Sequence, residues 1–236
     1  MRVKYTIMIL AKNYLGKLNS TQIFDLAKFV VDENFSHHAD NNLPEEYAND
    51  IKSICNEEAK YYNDSEIYVS KNDLGSISGA IRVLKWNYID ELPIQKIFGI
   101  NPLLALRSPK INDIYHIGRF AISKTTTDKN LFKKLMVLAI TPICKEEGNI
   151  AFAECDSKLL RILNLLGIKT HVIGDSIEYL GSETIPVAMT SEGLMNFYNK
   201  YKHLVSEEVI TPNNEETYTL PKSVVFNGSN QSYPLV

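Results

Sequence analysis

Ile23, Leu26, Ala27, Val30 and Val31 recur at the spacing of one helical face and predict a helix over 21–35, with Ser20 or Thr21 as its cap. A polar break follows from His37 to Asn42, and Pro44 suits the first turn of a second helix. The stripe of that helix is Tyr47, Ile51, Ile54 and Cys55, and it ends near 62–64. The period then changes. Short apolar runs at 66–70 and 77–84 flank the turn-forming Lys71-Asn72-Asp73-Leu74-Gly75 and predict a hairpin. Residues 85–112 contain Pro93, Pro102 and Pro109 and read as a long irregular connection, a length that suggests a binding loop.

A strand is predicted at 114–123, a polar turn at 124–128 and a helix at 129–147. A strand at 149–155 and a helix at 157–166, closed by Gly167, come next. Strands at 169–173 and 184–189 lead to a last helix over 191–205, with Leu194, Met195, Tyr198 and Tyr201 on one side. This order predicts a mixed α/β fold with helices on both faces of the sheet. The expected domain covers 1–205, followed by a polar tail, 206–236, read as extended or partly disordered.

Composition narrows the class. The chain has 236 residues and a net charge of −3, which argues against general nucleic-acid binding. No apolar run reaches the roughly 18–20 residues needed to span a bilayer. Met1 to Ala11 has the charge and apolar stretch of a weak signal peptide, but Lys12 and Asn13 interrupt it, so a first strand is the better reading. Cys55, Cys144 and Cys155 are odd in number and form no C-x-x-C, so neither a disulfide framework nor a zinc site is expected, and a reducing cytoplasm fits. His37-His38 has no further ligands at metal-binding spacing, and no metal is expected.

The segment Ile114-Tyr115-His116-Ile117-Gly118-Arg119-Phe120-Ala121-Ile122 sets a His, a Gly and an Arg into an apolar run. A glycine there marks a bulge or a close approach. Strict alternation would put His116, Gly118 and Phe120 on one side and Ile117, Arg119 and Ala121 on the other. His116 and Arg119 can share a site only if the strand bulges near Gly118.

Four stretches carry a resemblance. Gly79-Ala80-Ile81-Arg82-Val83-Leu84, His116-Ile117-Gly118-Arg119-Phe120-Ala121-Ile122, Arg161-Ile162-Leu163-Asn164-Leu165-Leu166-Gly167, and Gly174 with Leu180-Gly181 and Pro186 follow one another in order. They resemble, respectively, the "G-x-x-R-L-L" strand, the "E-L-[SG]-R-F-x-V" strand, the "R-I-L-x-x-x-G" helix end and the downstream glycine–proline pattern of one branch of the GNAT acyltransferases. That branch contains the acyl-homoserine-lactone (autoinducer) synthases and the N-acyl amino acid synthases. The resemblance implies a GNAT-like, mostly antiparallel sheet with helices on both faces. His116 stands where the family has an acid, and the paired acids before the hairpin reduce to Asp64 and Glu66. Both departures point away from homoserine-lactone chemistry and from S-adenosylmethionine as acceptor.

The resemblance also implies an activity: transfer of a fatty acyl group from acyl-carrier protein or acyl-CoA to the amine of an amino acid or related small molecule. The pantetheine arm would pair with the splayed strand at Ile117, Gly118, Phe120 and Ala121. Lys124, Thr126 and Lys129 would meet the phosphates at the following helix start, although the family's glycine-rich loop is absent. Lys124 and Lys129, with Lys133 and Lys134 one turn on, form a basic cluster that suits an acidic carrier protein or is a solvated helix face. His116 is the candidate general base, or else a structural histidine. Arg82 and Arg119 would grip an acceptor carboxylate, with Asp64 beside them, or else pair structurally with Asp64, Glu66 or Glu154. The other readings are an acetyl-CoA-dependent acetyltransferase and an acyl-carrier-binding module without turnover.

Overall fold

β1 (Tyr14–Lys17) pairs antiparallel with β2 (Ser65–Lys71), and β2 pairs antiparallel with β3 (Ile77–Lys85) across the expected hairpin turn. This is a computed structural model, which describes residues 14–38, 47–105, 111–179 and 182–206. β3 pairs antiparallel with β4 (Ile114–Ile122), and β4 runs parallel to β5 (Ile150–Cys155). β5 is antiparallel to β8 (Ser182–Thr190), which also takes β6 (His171–Val172) and β7 (Ile177–Tyr179). The sheet order is β1-β2-β3-β4-β5-β8-β6, with one parallel pair, β4 with β5, in a mostly antiparallel sheet.

Helices cover both faces because the strands are apolar on both. α1 (Ile23–His38) sets Leu26 against Ile67, Val69 and Ala80, and its Ala27 and Val31 meet Ile51 and Ile54 of α2 (Tyr47–Tyr61). The other face carries α4 (Leu131–Cys144) and α6 (Ser191–Tyr201), whose Leu135, Ile140, Leu194 and Phe197 pack with Tyr68, Ile81, Val83 and Ile117. Each such fully buried aliphatic or aromatic side chain contributes about 1.5–3 kcal/mol. α5 (Ser157–Leu165) is capped by Asp156, whose carboxylate accepts from the Leu159 N–H at 2.6 Å.

The structure corrects several expectations. The stretch 85–112 is not irregular throughout: Pro93 opens a short helix, α3 (Pro93–Phe98), which stops at Gly99 with φ 66°. Six residues give too little periodicity to be read as a helix. The first helix is capped not by Ser20 or Thr21 but by Asn19, in a reciprocal capping box with Gln22 that opens a short 3₁₀ turn. β1 and β7 were not expected, and the strand expected over 169–173 narrows to β6. The first strand expected before Asn13, Pro44, Pro109, Leu180-Gly181 and the tail from 207 lie outside the described residues. Among the described residues no helix is long and apolar enough to cross a membrane, and Cys55, Cys144 and Cys155 are free.

Candidate active site

β4 and β5 part in the middle of the sheet. Their parallel ladder runs from Ile114–Ile150 to Ile117–Ala153 and ends there, while β4 continues to Ile122 along β3. Burial follows the parting: residues 114–117 are buried and 118–122 only half-buried. The bulge that the sequence allowed is present. Between the pairs Arg82–Gly118 and Ala80–Ala121, β3 advances two positions and β4 three. Arg119 takes up the extra residue in the left-handed region, at φ 54°, a conformation that costs a non-glycine residue of order 1 kcal/mol or more. The bulge breaks the alternation. Arg119 comes to the α2 side with Arg82 and His116. Phe120, expected on the His116 side, instead packs edge-on against Phe132 of α4 at 5.1 Å.

The α2 side of the parting holds a continuous charge cluster. Glu58 Oε1 accepts from Arg82 Nη1 at 2.6 Å and from Arg119 Nε at 2.7 Å. Glu57 Oε1 lies 2.9 Å from Arg119 Nη2 and 3.4 Å from Arg82 Nη1. Arg82 Nη2 stands 3.1 Å from His116 Nδ1, and His116 Nε2 stands 2.8 Å from Glu154 Oε2. A guanidinium can only donate, so Nδ1 accepts, and the ring proton sits on Nε2 and is donated to Glu154. Arg82, Glu58 and His116 are buried, whereas the side chains of Glu154, Arg119 and Glu57 are 13%, 17% and 25% exposed and form the rim. Burial pulls against both charges of the rim pair Glu57–Arg119. Even so, Arg119 and then Arg82 hold the Glu57 carboxyl below its ordinary range, and Glu58 and Glu57 hold Arg119 above its own. Tyr179 of β7 is within electrostatic reach of Arg119, Glu57, Glu154 and Asp50; its phenol is raised first by burial.

The expected site residues distribute as follows. His116, Arg82 and Arg119 meet. The two guanidiniums are not held by Asp64, Glu66 or Glu154, but by Glu57 and Glu58 of α2. Asp64 is apart from them: it accepts from Asn87 Nδ2 at 3.2 Å and lines a cavity of about 680 Å³ with Lys17, Glu66, Tyr68, Tyr115 and Lys145. That cavity includes none of the charge cluster. Ile117 is buried on the α4 side, and Ala121 pairs with Ala80 on the half-buried stretch of β4. Gly118 is needed for space: a β-carbon there would stand 2.9 Å from His116 Cε1 and 3.3 Å from Arg82 Nη2. Lys124 and Lys129 are exposed, and the Thr126 N–H closes a turn onto the Ser123 carbonyl at 3.1 Å. Lys134 is tied to Asp128 at 2.7 Å, and the first turn of α4 has no side-chain cap.

Sequence reading missed the α2 acids. The signal was present: Ile51, Ile54, Glu58 and Tyr61 form one buried helical stripe, so Glu58 is a carboxylate at a core position. A carboxylate there requires a cationic partner. Among the described residues no group of three or more His, Cys, Asp or Glu is arranged to hold a metal.

These features place the chain among mixed α/β structures with a parted central sheet, the GNAT-like fold expected from the sequence motifs. Solved structures share the fold. An N-acyl amino acid synthase from uncultured soil microbes, FeeM, matches with a TM-score of 0.55 and 15% identity, over 81% of this chain and 98% of that one. TofI, solved in a ternary complex with an inhibitor and MTA, matches with a TM-score of 0.51 and 14% identity, over 79% of this chain and 96% of that one. No protein-family model and no curated protein sequence matches the chain.

Proposed function

We propose that this chain is a cytoplasmic N-acyltransferase that moves a fatty acyl group from acyl-carrier protein or acyl-CoA to the amine of a small molecule, an amino acid or a relative of one. The observation that carries the reading is the parting of β4 from β5 directly beside a buried cluster of acid, imidazole and guanidinium groups. The fold shared with an N-acyl amino acid synthase agrees with it.

In this reading the pantetheine arm lies along the open edge of β4, from Ile117 to Ala121, and a backbone N–H at the bulge meets the oxyanion. Lys124, Thr126, Lys129 and the uncapped start of α4 receive the phosphates. The amine nitrogen attacks the thioester carbonyl, the tetrahedral intermediate collapses, the C–S bond breaks and the thiolate leaves. The amine must lose a proton. His116 was the candidate base, but its one lone pair faces Arg82. Glu154 retains free lone pairs and is the more exposed member of the pair. Glu154 therefore takes the proton, and His116 positions it through the Nε2–H bond. Arg82 and Arg119 hold Glu57 and Glu58 in register.

The test is to incubate the purified protein with long-chain acyl-carrier protein, long-chain acyl-CoA and a pool of amino acids and amines, and to look for N-acyl products by mass spectrometry. An N-acyl product with stoichiometric thiol release is the expected result. No product from either donor overturns the reading.

A further inference from the structure

We infer that the cavity beside Asp64 is a second small-molecule site, built for a neutral planar aromatic or heteroaromatic compound that carries a hydrogen-bond acceptor. The cavity measures about 680 Å³, within the range of about 300–1,000 Å³ usual for small-molecule pockets. It lies on the α4 face of the sheet, at the end of β4 away from the bulge. Tyr68, Val83 and Tyr115 form its strand wall, and Thr141 and Pro142 from the end of α4 complete it. Arg82 and His116, one position along β3 and β4, meet on the α2 face. The sheet itself therefore stands between this cavity and the charge cluster, and the site does not depend on acyl transfer.

The walls set the shape of the ligand. Tyr62, Tyr68, Tyr115 and Trp86 line the cavity, and Trp86 is the single tryptophan of the chain. Tyr68, Tyr115 and Trp86 are 2%, 7% and 8% exposed, so their rings are fixed by the core around them. Trp86 is held twice: Nε1 donates to the Asp90 carbonyl at 2.7 Å, and its ring lies 4.6 Å from that of Tyr88. Tyr88 in turn is kept at φ 62°, a conformation uncommon in a non-glycine residue, with its hydroxyl donating to the Asn112 carbonyl at 3.0 Å. Fixed aromatic faces favour a flat ring, which makes stacked or edge-on contacts that a puckered ring of the same skeleton does not.

The polar groups set the rest. Glu66 accepts from Lys17 at 2.6 Å and from the Tyr68 hydroxyl, and Lys85 is 2.7 Å from Asp113. These charges answer one another, and Asp64 and Lys145, of opposite sign, are exposed at the mouth. The inner wall therefore calls for no ion. The Trp86 N–H and the Thr141 hydroxyl are spent on the carbonyls of Asp90 and Val137. Tyr115 is the exception: its hydroxyl has no hydrogen-bond partner among the described residues. Burial raises this phenol, so it keeps an O–H to donate. A buried hydroxyl left unpaired is costly, and a ligand acceptor removes that cost. One uncommitted donor in an aromatic wall matches one acceptor on a flat ring. A sugar would leave most of its hydroxyls unmet there.

Two amides of one skeleton test this: 2-naphthamide, which is flat, and its decahydro analogue, which is puckered and carries the same carbonyl. Each is titrated into the full chain, and binding is followed by calorimetry and by the emission of Trp86, a reporter set in the wall itself. We expect 2-naphthamide to bind saturably, to change the Trp86 emission, and to bind at least roughly threefold more tightly than the decahydro compound. Tyr115→Phe keeps the ring and removes only the hydroxyl, and should weaken 2-naphthamide by roughly three- to tenfold. Palmitoyl-CoA should not displace it. No saturable binding, equal affinity for the two amides, or an unchanged affinity in Tyr115→Phe would overturn the inference. So would heat of binding without a change at Trp86, which would put the compound elsewhere, or displacement by palmitoyl-CoA, which would make the cavity part of the donor site.

Discussion

Arg82 Nη2 lies 3.1 Å from His116 Nδ1, and through this contact the buried acids of α2 are linked to Glu154 at the parting of β4 and β5. A guanidinium fixes which imidazole nitrogen carries the proton, and the imidazole fixes the carboxylate. The chain of contacts from Glu58 to Glu154 crosses α2, β3, β4 and β5, so it exists only when the sheet and its helical cover are assembled together.

Glu58 holds that chain at its buried end. Its Oε1 serves Arg82 at 2.6 Å and Arg119 at 2.7 Å. Glu58→Ala leaves one buried guanidinium and one at the rim without their main partner, and breaking a buried pair from one side costs about 3–5 kcal/mol. Set against a total stability of about 5–15 kcal/mol for a domain, this is a large fraction. Urea unfolding should show the midpoint falling sharply for Glu58→Ala and less for Glu57→Ala, whose carboxylate is partly solvated. Equal losses would mean that the two acids share the load.

Gly118 should tolerate no side chain. A β-carbon would press on His116 Cε1 at 2.9 Å and on Arg82 Nη2 at 3.3 Å. Neither neighbour can yield without breaking the Arg82–His116 contact. Gly118→Ala is expected to lose about 1–3 kcal/mol and most of the acyl-transfer rate. Gly99→Ala is the contrast: with φ 66° and nothing within 4 Å, it costs about 1 kcal/mol through backbone strain and leaves the rate alone. Thermal unfolding and turnover measured on both variants check this. A Gly118→Ala enzyme with normal turnover would remove the Arg82–His116 contact from the mechanism.

The order of elements was legible in the sequence wherever a periodic stretch was long enough. The stripes of α1 and α2 and the apolar runs of β2, β3, β4 and β5 were found close to their observed limits. What escaped was short or non-local. α3 has six residues, and β1 and β7 have four and three. The bulge was foreseen as a condition on His116 and Arg119, because period-two alternation forbids them a common face and Gly118 permits the exception. The partners of the arginines were not foreseen. Glu57 is 25 residues from Arg82, and Glu58 is 61 from Arg119. Charge alone does not select which of many acids closes such a pair, yet the place of Glu58 in an apolar stripe was a local clue. The commitment of the His116 lone pair to Arg82 follows only from the three-dimensional contact.

Glu57 gives the fold an acid sensitivity. Its burial acts to raise the carboxyl, but Arg119 and Arg82 outweigh it and hold the group below its ordinary value of 4.5. The unfolded chain therefore binds the proton more readily than the folded one. The stabilisation is complete above the unfolded value and is lost as pH falls through the lower folded value. Asp128, lowered by Lys134 against its own burial, acts in the same direction. Denaturant midpoints measured from pH 7 to pH 3 should fall below about pH 5. The Glu57→Gln variant should start lower at pH 7 and decline less steeply. An unchanged slope in that variant would assign the acid limb to other carboxylates.

Glu154 and His116 make separable predictions about the proton. With Glu154 as acceptor, Glu154→Gln keeps a hydrogen-bonding carbonyl for the His116 Nε2–H but has no basic oxygen. The rate kcat should fall by about 10²–10⁴-fold, the usual contribution of a general base, with KM for the acyl donor little changed. The acid limb of the pH–rate profile should vanish with it. His116→Asn retains Glu154 and removes only its positioning partner. That variant should keep an acid limb at a displaced pH, with a smaller loss of kcat. The two profiles, recorded with one donor and one acceptor, decide the roles. A limb that survives Glu154→Gln and disappears with His116→Asn would return the base to the imidazole. It would also require Arg82 to release Nδ1 during turnover.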